Sequence, residues 1–151
     1  MIAFVAKRPE SVLVVIHTPL GGILLLERAD YPSFWQSVTG SLEAEDQDLL
    51  ATARREVQEE TGLCPETGWR NWNRVQEFEI FAHWRHRYAP GVTRNREHMF
   101  SLEVAPDTPV VLHPQEHRRF GWWPHAEAAI RCSSASNRQA ILWIAQAYGW
   151  R

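Results

Sequence analysis

The sequence predicts an α/β fold, a sandwich with a mixed β-sheet, formed by a single domain that spans residues 1–151. Three observations predict this class. Short runs of β-branched and apolar residues, typical of strands, occur both before and after one central helical segment. A second helical segment lies near the C-terminus. The length favours one domain, and 44% hydrophobic with 23% charged residues is a globular composition.

The first half of the chain is predicted to contain two paired strands, a short third strand and the central helix. In order, these elements occupy residues 11–17, 23–28, 35–40 and about 48–61. The turn at residues 19–22 joins the first two strands as a hairpin. Asp46 and Asp48 are candidate N-caps of the helix, and Gly62 stands where a glycine commonly ends one.

The second half is predicted to contain a loop at residues 68–73, followed by strands at residues 78–84, 98–105 and 120–123. A turn around Pro90 and Gly91 separates the first two of these strands. Pro124 is expected to open a short helix at about 125–130. The final helix, about 138–148, is expected to be capped by Ser136 or Asn137.

Charge and cysteine content argue against several functional classes. A net charge of −2 disfavours a broad nucleic-acid-binding surface. Cys64 and Cys132 form neither a metal-ligand spacing nor a disulfide framework. The apolar N-terminal run is too short to span a membrane, and no signal cleavage site is evident. We therefore expect a cytoplasmic protein without a membrane or nucleic-acid partner.

The central helix carries three glutamates, Glu56, Glu59 and Glu60, which fall within about 100° of one another on a single stripe. Carboxylates this close repel one another. The repulsion is relieved either by full solvation of the stripe or by a divalent cation. Hard carboxylate oxygens suit Mg²⁺ or Mn²⁺. Spacing alone leaves both interpretations open.

The residues around these glutamates resemble the Nudix box, G-x5-E-x7-R-E-U-x-E-E-x-G-U, where U is aliphatic. Residues 55–63, REVQEETGL, match its second half at every specified position. The first half starts at Gly40 but is one residue longer than the pattern. Asp46 or Gln47 stands where the pattern has its first glutamate. The resemblance implies an α/β/α sandwich and an enzyme that hydrolyses a diphosphate linked to another moiety.

The same resemblance assigns roles to residues of the box. It implies Mg²⁺ as cofactor, with Mn²⁺ as a substitute, and water attack at phosphorus. Glu56, Glu59 and Glu60 are the implied metal ligands, and Glu59 is also a candidate catalytic residue. Arg55 is expected to hold a glutamate in place by a bidentate contact. Outside the box, Glu116 is a candidate for a further metal ligand or the general base.

Stretches outside the box closely resemble one branch of this family, the bacterial dihydroneopterin triphosphate pyrophosphohydrolases of folate biosynthesis. The stretches are residues 7–9, 34–41, 77–97 and 134–141. This resemblance implies that pyrophosphate is removed from a pterin-linked triphosphate, leaving the monophosphate. The expected substrate-binding residues are Lys7, Arg28, Thr39, Phe78, Glu79, Ile80, Phe81, Arg85, Arg87 and Ser134.

The chemistry of these residues suits such a substrate. Arginines 85, 87, 94 and 96 lie near one turn and can receive several phosphate charges. A basic loop that is only solvated is the alternative interpretation of the same residues. Strand alternation places Phe78 and Ile80 on one face, and Glu79 and Phe81 on the other. An aromatic face can stack on a pterin while Glu79 hydrogen-bonds ring nitrogens; core packing of the aromatics is the alternative.

Two other functions fit the same residues. One is a Nudix hydrolase of a nucleoside triphosphate such as dATP, because purine and pterin rings are similar in size and polarity. The other is a nucleotide-sensing module that keeps the fold without catalysis. The expected partner is in each case a small phosphorylated molecule, and we expect a monomer or a weak homodimer.

Overall fold

The computed structural model describes residues 5–151, which form one seven-stranded sheet with helices on both faces. The strands are β1 (Glu10–His17), β2 (Gly22–Arg28), β3 (Trp35–Gln36), β4 (Val38–Ser41), β5 (Trp69–Glu79), β6 (Arg94–Glu103) and β7 (His117–Pro124). The helices are α1 (Leu49–Thr61), α2 (His125–Arg131) and α3 (Ala135–Tyr148), with a 3₁₀ helix at Ala82–Arg87. None of the helices in residues 5–151 is long and apolar enough to cross a membrane.

The sheet is mixed, as predicted. Its strand order is β3-β2-β1-β6-β5, with β4 paired to β1 and β7 paired to β2. Strands β1 and β6 run parallel, and the other pairs are antiparallel. The predicted hairpin of β1 and β2 is paired only at His17 and Ile23. Beyond that point the two strands diverge, and β4 pairs with β1 in the opening between them.

Alternation along β1 divides the core into two layers. Val12 and Val14 belong to the cluster that packs on α1, whereas Leu13 and Val15 belong to the cluster that packs on α2 and α3. Both faces of this strand are therefore buried, which explains its unbroken apolar sequence. The two layers make the α/β/α sandwich that the sequence predicts.

Helix α1 ends where its capping residues predict. The Asp48 carboxylate accepts a hydrogen bond from the Ala51 amide at 2.7 Å, and Gly62 adopts the left-handed conformation with φ 75°. For α3 the predicted cap was wrong by two or three residues. Ser134, not Ser136 or Asn137, is the N-cap, and the helix begins at Ala135.

The predictions for the middle of the chain need correction. The predicted loop at residues 68–73 belongs largely to β5, and the predicted strand at 78–84 ends at Glu79 and gives way to the 3₁₀ helix. Strand β5 is an edge strand with mostly exposed residues and a bulge between Asn71 and Val75, so its sequence lacks a clear apolar alternation. Strand β6 begins at Arg94, four residues before its predicted start.

Candidate active site

Two depressions share part of their lining, and one of them lies beside α1. The first, here called the carboxylate cleft, is about 1560 Å³ and includes Glu56, Glu59, Glu60 and Glu116 in its lining. The second, here called the aromatic cavity, is about 750 Å³ and includes Phe34, Phe78, Phe81 and Trp84. Both are lined by Lys7, Arg28, Gln36, Thr39, Gly40, Ser41 and Arg87. The shared residues make the two depressions one continuous site.

Glu60 and Glu56 form a buried pair of carboxyl groups in the carboxylate cleft. The Glu60 side chain is 3% exposed, whereas that of Glu59 is 49% exposed at the rim. Burial, reinforced by the neighbouring Glu56 carboxyl, holds the pKa of Glu60 well above its usual value. Burial also raises the pKa of Glu56. In the part of the chain that the structure describes, Glu60 Oε1 is buried and has no hydrogen-bond partner.

This pair suits a divalent cation, which would neutralise the charge of both carboxylates. Within residues 5–151, no three His, Cys, Asp or Glu side chains are arranged as a complete metal cluster. Mg²⁺ commonly binds one or two carboxylates and completes its coordination with water and substrate phosphates. Of the four predicted ligands, the structure brings Glu56 and Glu60 together and leaves Glu59 and Glu116 exposed on the cleft wall.

Arg55 connects the loop before α1 to the buried pair. Its guanidinium donates to both carboxylate oxygens of Asp46, at 3.1 and 3.0 Å, and to Glu56 Oε1 at 2.8 Å. Asp46, not Gln47, therefore occupies the place of the first glutamate of the box. The Arg55 contacts hold the pKa of Asp46 well below its usual range. A Cβ at Gly40 would overlap the Glu56 carboxylate, which explains the glycine that starts the box.

Three cationic side chains stand where the two depressions meet. Arg28 donates two hydrogen bonds to Asp30, at 2.8 and 3.0 Å, and lies 4.2 Å from the Trp84 ring centroid. Arg87 donates to the same Asp30 carboxylate at 3.0 Å. Burial, and secondarily the Arg87 charge, lowers the pKa of Lys7. Asp30, which orients both arginines, was not found from sequence because it belongs to no recognisable motif.

The structure places most predicted substrate-binding residues in the aromatic cavity, but not all. Thr39, Phe78, Ile80, Phe81 and Ser134 line it. Glu79 and Arg85 do not, because they are paired with each other at 2.6 Å on the exposed outer side. The predicted alternation fails here since β5 ends at Glu79, and the turn that follows brings Phe81 to the same cavity as Phe78. Arg94 and Arg96 are exposed.

Several residues of the aromatic cavity were missed by sequence reasoning. Phe34 contacts Phe81 and Trp84 edge to face, with ring centroids 5.4 and 5.0 Å apart. Asn95 and Glu97 line the same cavity from β6. The predicted start of this strand at residue 98 excluded both residues, and their polar types gave no signal of burial.

The segment before β7 supplies the remaining wall of the carboxylate cleft. Glu116 is exposed there, and its backbone carbonyl accepts a hydrogen bond from the Ala29 amide at 2.9 Å. The neighbouring His117 is buried, and its Nε2 lies 3.7 Å from Glu60 Oε1. Burial lowers the pKa of His117 to about 4, so the imidazole is neutral near pH 7.

A buried pair of glutamates in a polar cleft, one of them held by an arginine, is the arrangement expected for the Nudix box. The chain belongs to the NUDIX domain family, which matches residues 7–144. The prediction of a Nudix hydrolase is thereby confirmed, and enzymes of this family generally use divalent metal ions.

The comparisons also identify particular relatives. The chain is 45% identical over 141 residues to the dihydroneopterin triphosphate diphosphatase of Escherichia coli strain K12, covering 91% of this chain and 92% of that protein. The enzyme of the same name from Haemophilus influenzae is 42% identical over 139 residues, covering 89% and 86%. The solved structure of the E. coli dihydroneopterin triphosphate pyrophosphohydrolase matches with a TM-score of 0.86, covering 92% of this chain and 96% of that one.

Proposed function

We propose that this chain hydrolyses dihydroneopterin triphosphate to dihydroneopterin monophosphate and pyrophosphate. The observation that carries the proposal is the continuity of the aromatic cavity with the carboxylate cleft through Lys7, Arg28 and Thr39. A ligand with a flat ring at one end and a polyphosphate at the other fits such a site. The names of the two bacterial relatives support the same substrate.

The Glu56 and Glu60 pair would hold Mg²⁺, or Mn²⁺ in its place, with Glu59 and Glu116 near enough on the cleft wall to assist. The bound ion would neutralise phosphate charge and acidify a water molecule. Arg55 keeps Glu56 in position from the outer side, because its guanidinium is itself fixed by Asp46.

The remaining steps fall to side chains of the chain itself. Lys7, Arg28 and Arg87 receive the negative charges of the triphosphate where the two depressions meet. Glu116 accepts a proton from the attacking water. The water oxygen forms a bond to the α- or the β-phosphorus as the P–O bond from that phosphorus to the bridging oxygen breaks. The bridging oxygen keeps the electron pair and leaves with the other phosphate group, which gives the monophosphate and pyrophosphate.

The aromatic cavity holds the ring. Phe34, Phe81 and Trp84 pack edge to face with one another, so their positions are set before a ligand arrives. Preformed aromatic walls reduce the entropy lost on binding a flat heterocycle.

The test is pyrophosphate release by the purified protein in Mg²⁺, comparing dihydroneopterin triphosphate with dATP, dGTP and a dinucleoside polyphosphate at matched concentrations. We expect the highest kcat/KM for the pterin, with pyrophosphate and not phosphate as product. A higher kcat/KM for dATP would mean that the protein is a nucleoside triphosphate hydrolase. Binding of these compounds without turnover would favour the sensing module.

A further inference from the structure

The aromatic cavity has a polar side formed by strands β1 and β6. Ser11, Asn95 and Glu97 line it, and we call these three residues the polar floor. Asn95 and Glu97 are two residues apart on β6 and therefore project to the same face of the sheet. Ser11 lies beside Glu97 because β1 and β6 pair in parallel with these two residues opposite each other.

Within residues 5–151, two acceptor atoms of the polar floor lack hydrogen-bond partners. Asn95 Nδ2 donates to Ser11 Oγ at 2.7 Å, which directs the amide oxygen Oδ1 away from that bond and leaves it unpaired. Glu97 Oε1 is likewise buried and unpaired within these residues. Glu97 is 5% exposed and Asn95 is 3% exposed. Buried acceptors of this kind are normally satisfied, so their pairing partners are expected to come from a ligand.

We propose that Glu97 and Asn95 select the heterocycle by accepting hydrogen bonds from a ring N–H and an adjacent exocyclic amino group. This inference rests on the proposed function and extends it, because a pterin carries these two donors side by side on its 2-amino-4-oxopyrimidine edge. A carboxylate matches two adjacent N–H donors in one plane, as it does with the fork of arginine. The sequence analysis expects Glu79 to hydrogen-bond the ring nitrogens. In the structure Glu79 is exposed and paired with Arg85 instead.

The position of the floor agrees with the path of the substrate. Arg28 and Lys7 also line the aromatic cavity, and they continue into the carboxylate cleft. A ring held by the polar floor would therefore direct its triphosphate toward these cations and the Glu56 and Glu60 pair. The aromatic cavity would therefore select the ring, and the carboxylate cleft would carry out the chemistry on the phosphates.

The experiment compares two ligands that differ only in the amino group, dGTP and dITP. Dissociation constants are measured by calorimetry in Ca²⁺ for the wild type, Glu97→Gln and Glu103→Gln. Glu103 lies exposed at the end of the same strand and outside both depressions, so it is the matched control. Glutamine keeps the size of Glu97 but replaces one acceptor with an N–H donor that opposes the ring donors.

We expect the wild type and Glu103→Gln to bind dGTP about 10-fold or more tightly than dITP. Glu97→Gln should bring this ratio close to one. Asn95→Ser, which shortens the side chain that carries the other acceptor, should lower the ratio of the dITP to the dGTP dissociation constant to a smaller extent. An unchanged ratio in Glu97→Gln, or a ratio near one in the wild type, would overturn the inference.

A second readout separates this inference from the proposed function. The KM of Glu97→Gln for dihydroneopterin triphosphate should rise about 10- to 100-fold. The inhibition constant of inorganic tripolyphosphate, which has no ring, should stay within about twofold. If the wild type fails to hydrolyse the pterin, the proposed function fails, while the dGTP and dITP ratio still decides the role of Glu97. An equal rise of both constants would mean a general distortion of the site and would count against selective recognition.

Discussion

Replacing Glu97 by glutamine should make the unfolding free energy of the protein less sensitive to rising pH. Glu97 is buried on β6, and burial raises the pKa of its carboxyl to about 7 from the ordinary value of 4.5. The folded protein therefore holds the proton of Glu97 more tightly than the unfolded chain does. The stability linked to this proton is fully present below pH 4.5 and is lost as pH rises through 7.

The size of the effect follows from the two pKa values. Their difference, at about 1.36 kcal/mol per pKa unit, corresponds to about 3 kcal/mol of unfolding free energy lost between pH 4.5 and pH 8. Glutamine cannot ionise, and it keeps the size of the glutamate side chain. Tyr88, the phenol whose charge would interact with Glu97, has a pKa raised by burial and stays neutral over this range.

The assay is urea unfolding of the wild type and Glu97→Gln at pH 5, 6, 7 and 8, without divalent ions or ligand. The stability of the variant relative to the wild type should increase by about 2 to 3 kcal/mol from pH 5 to pH 8. Other titrating groups are present in both proteins, so their contributions cancel in the difference. A difference that stays constant with pH would refute the assignment of a raised pKa to Glu97.

Four further substitutions test the roles proposed for the cleft and for the basic segment beside it. Glu60→Gln should lower kcat about 100-fold or more at saturating Mg²⁺, because it removes one of the two buried carboxylates, with thermal unfolding checking that the fold is intact. Glu116→Gln should lower kcat about 100-fold and change KM little, as expected for loss of a general base, in steady-state kinetics. Arg87→Ala should raise KM about tenfold through a lost phosphate contact, whereas Arg85→Ala should change it less than about twofold.

The controls for these variants come from the same chain. Glu127→Gln, exposed on α2, carries the same chemical change as the two glutamate variants outside the cleft. Near-normal turnover of Glu60→Gln would contradict its role in metal binding, and an unchanged rate for Glu116→Gln would move the base elsewhere. If Arg85→Ala and Arg87→Ala raise KM equally, the arginines act through their general positive charge and Arg87 makes no specific phosphate contact.

Sequence reasoning predicted the active-site helix well because its signals are local. The spacing of Glu56, Glu59 and Glu60 depends only on helical geometry, and the N-cap Asp48 and the terminating Gly62 lie in the same segment. The mixed sheet was likewise predicted from segments of strand and helix, and the α/β/α sandwich from the resemblance to the Nudix box. The choice between Asp46 and Gln47 was open in the sequence, because the inserted residue can be accommodated at several places in the loop.

Predictions for the substrate end of the site were less accurate. Glu79 and Phe81 were assigned to the same face on the assumption of a continuing strand, and this was wrong because β5 ends at Glu79. Exposed edge strands carry weak apolar alternation, so their ends are poorly marked in sequence. The misplaced start of β6 likewise removed Asn95 and Glu97 from consideration.

The sequence by itself determined the Nudix family, the central helix and the carboxylates along its edge. These features depend on residues within a few positions of one another, where helical periodicity and capping are decisive. Only the tertiary structure decided that Asp46 holds Arg55, that Asp30 orients Arg28, and that the polar floor lines the aromatic cavity. Those contacts depend on strand pairing and chain direction between distant segments, such as Ser11 beside Glu97, and local sequence carries no record of that register.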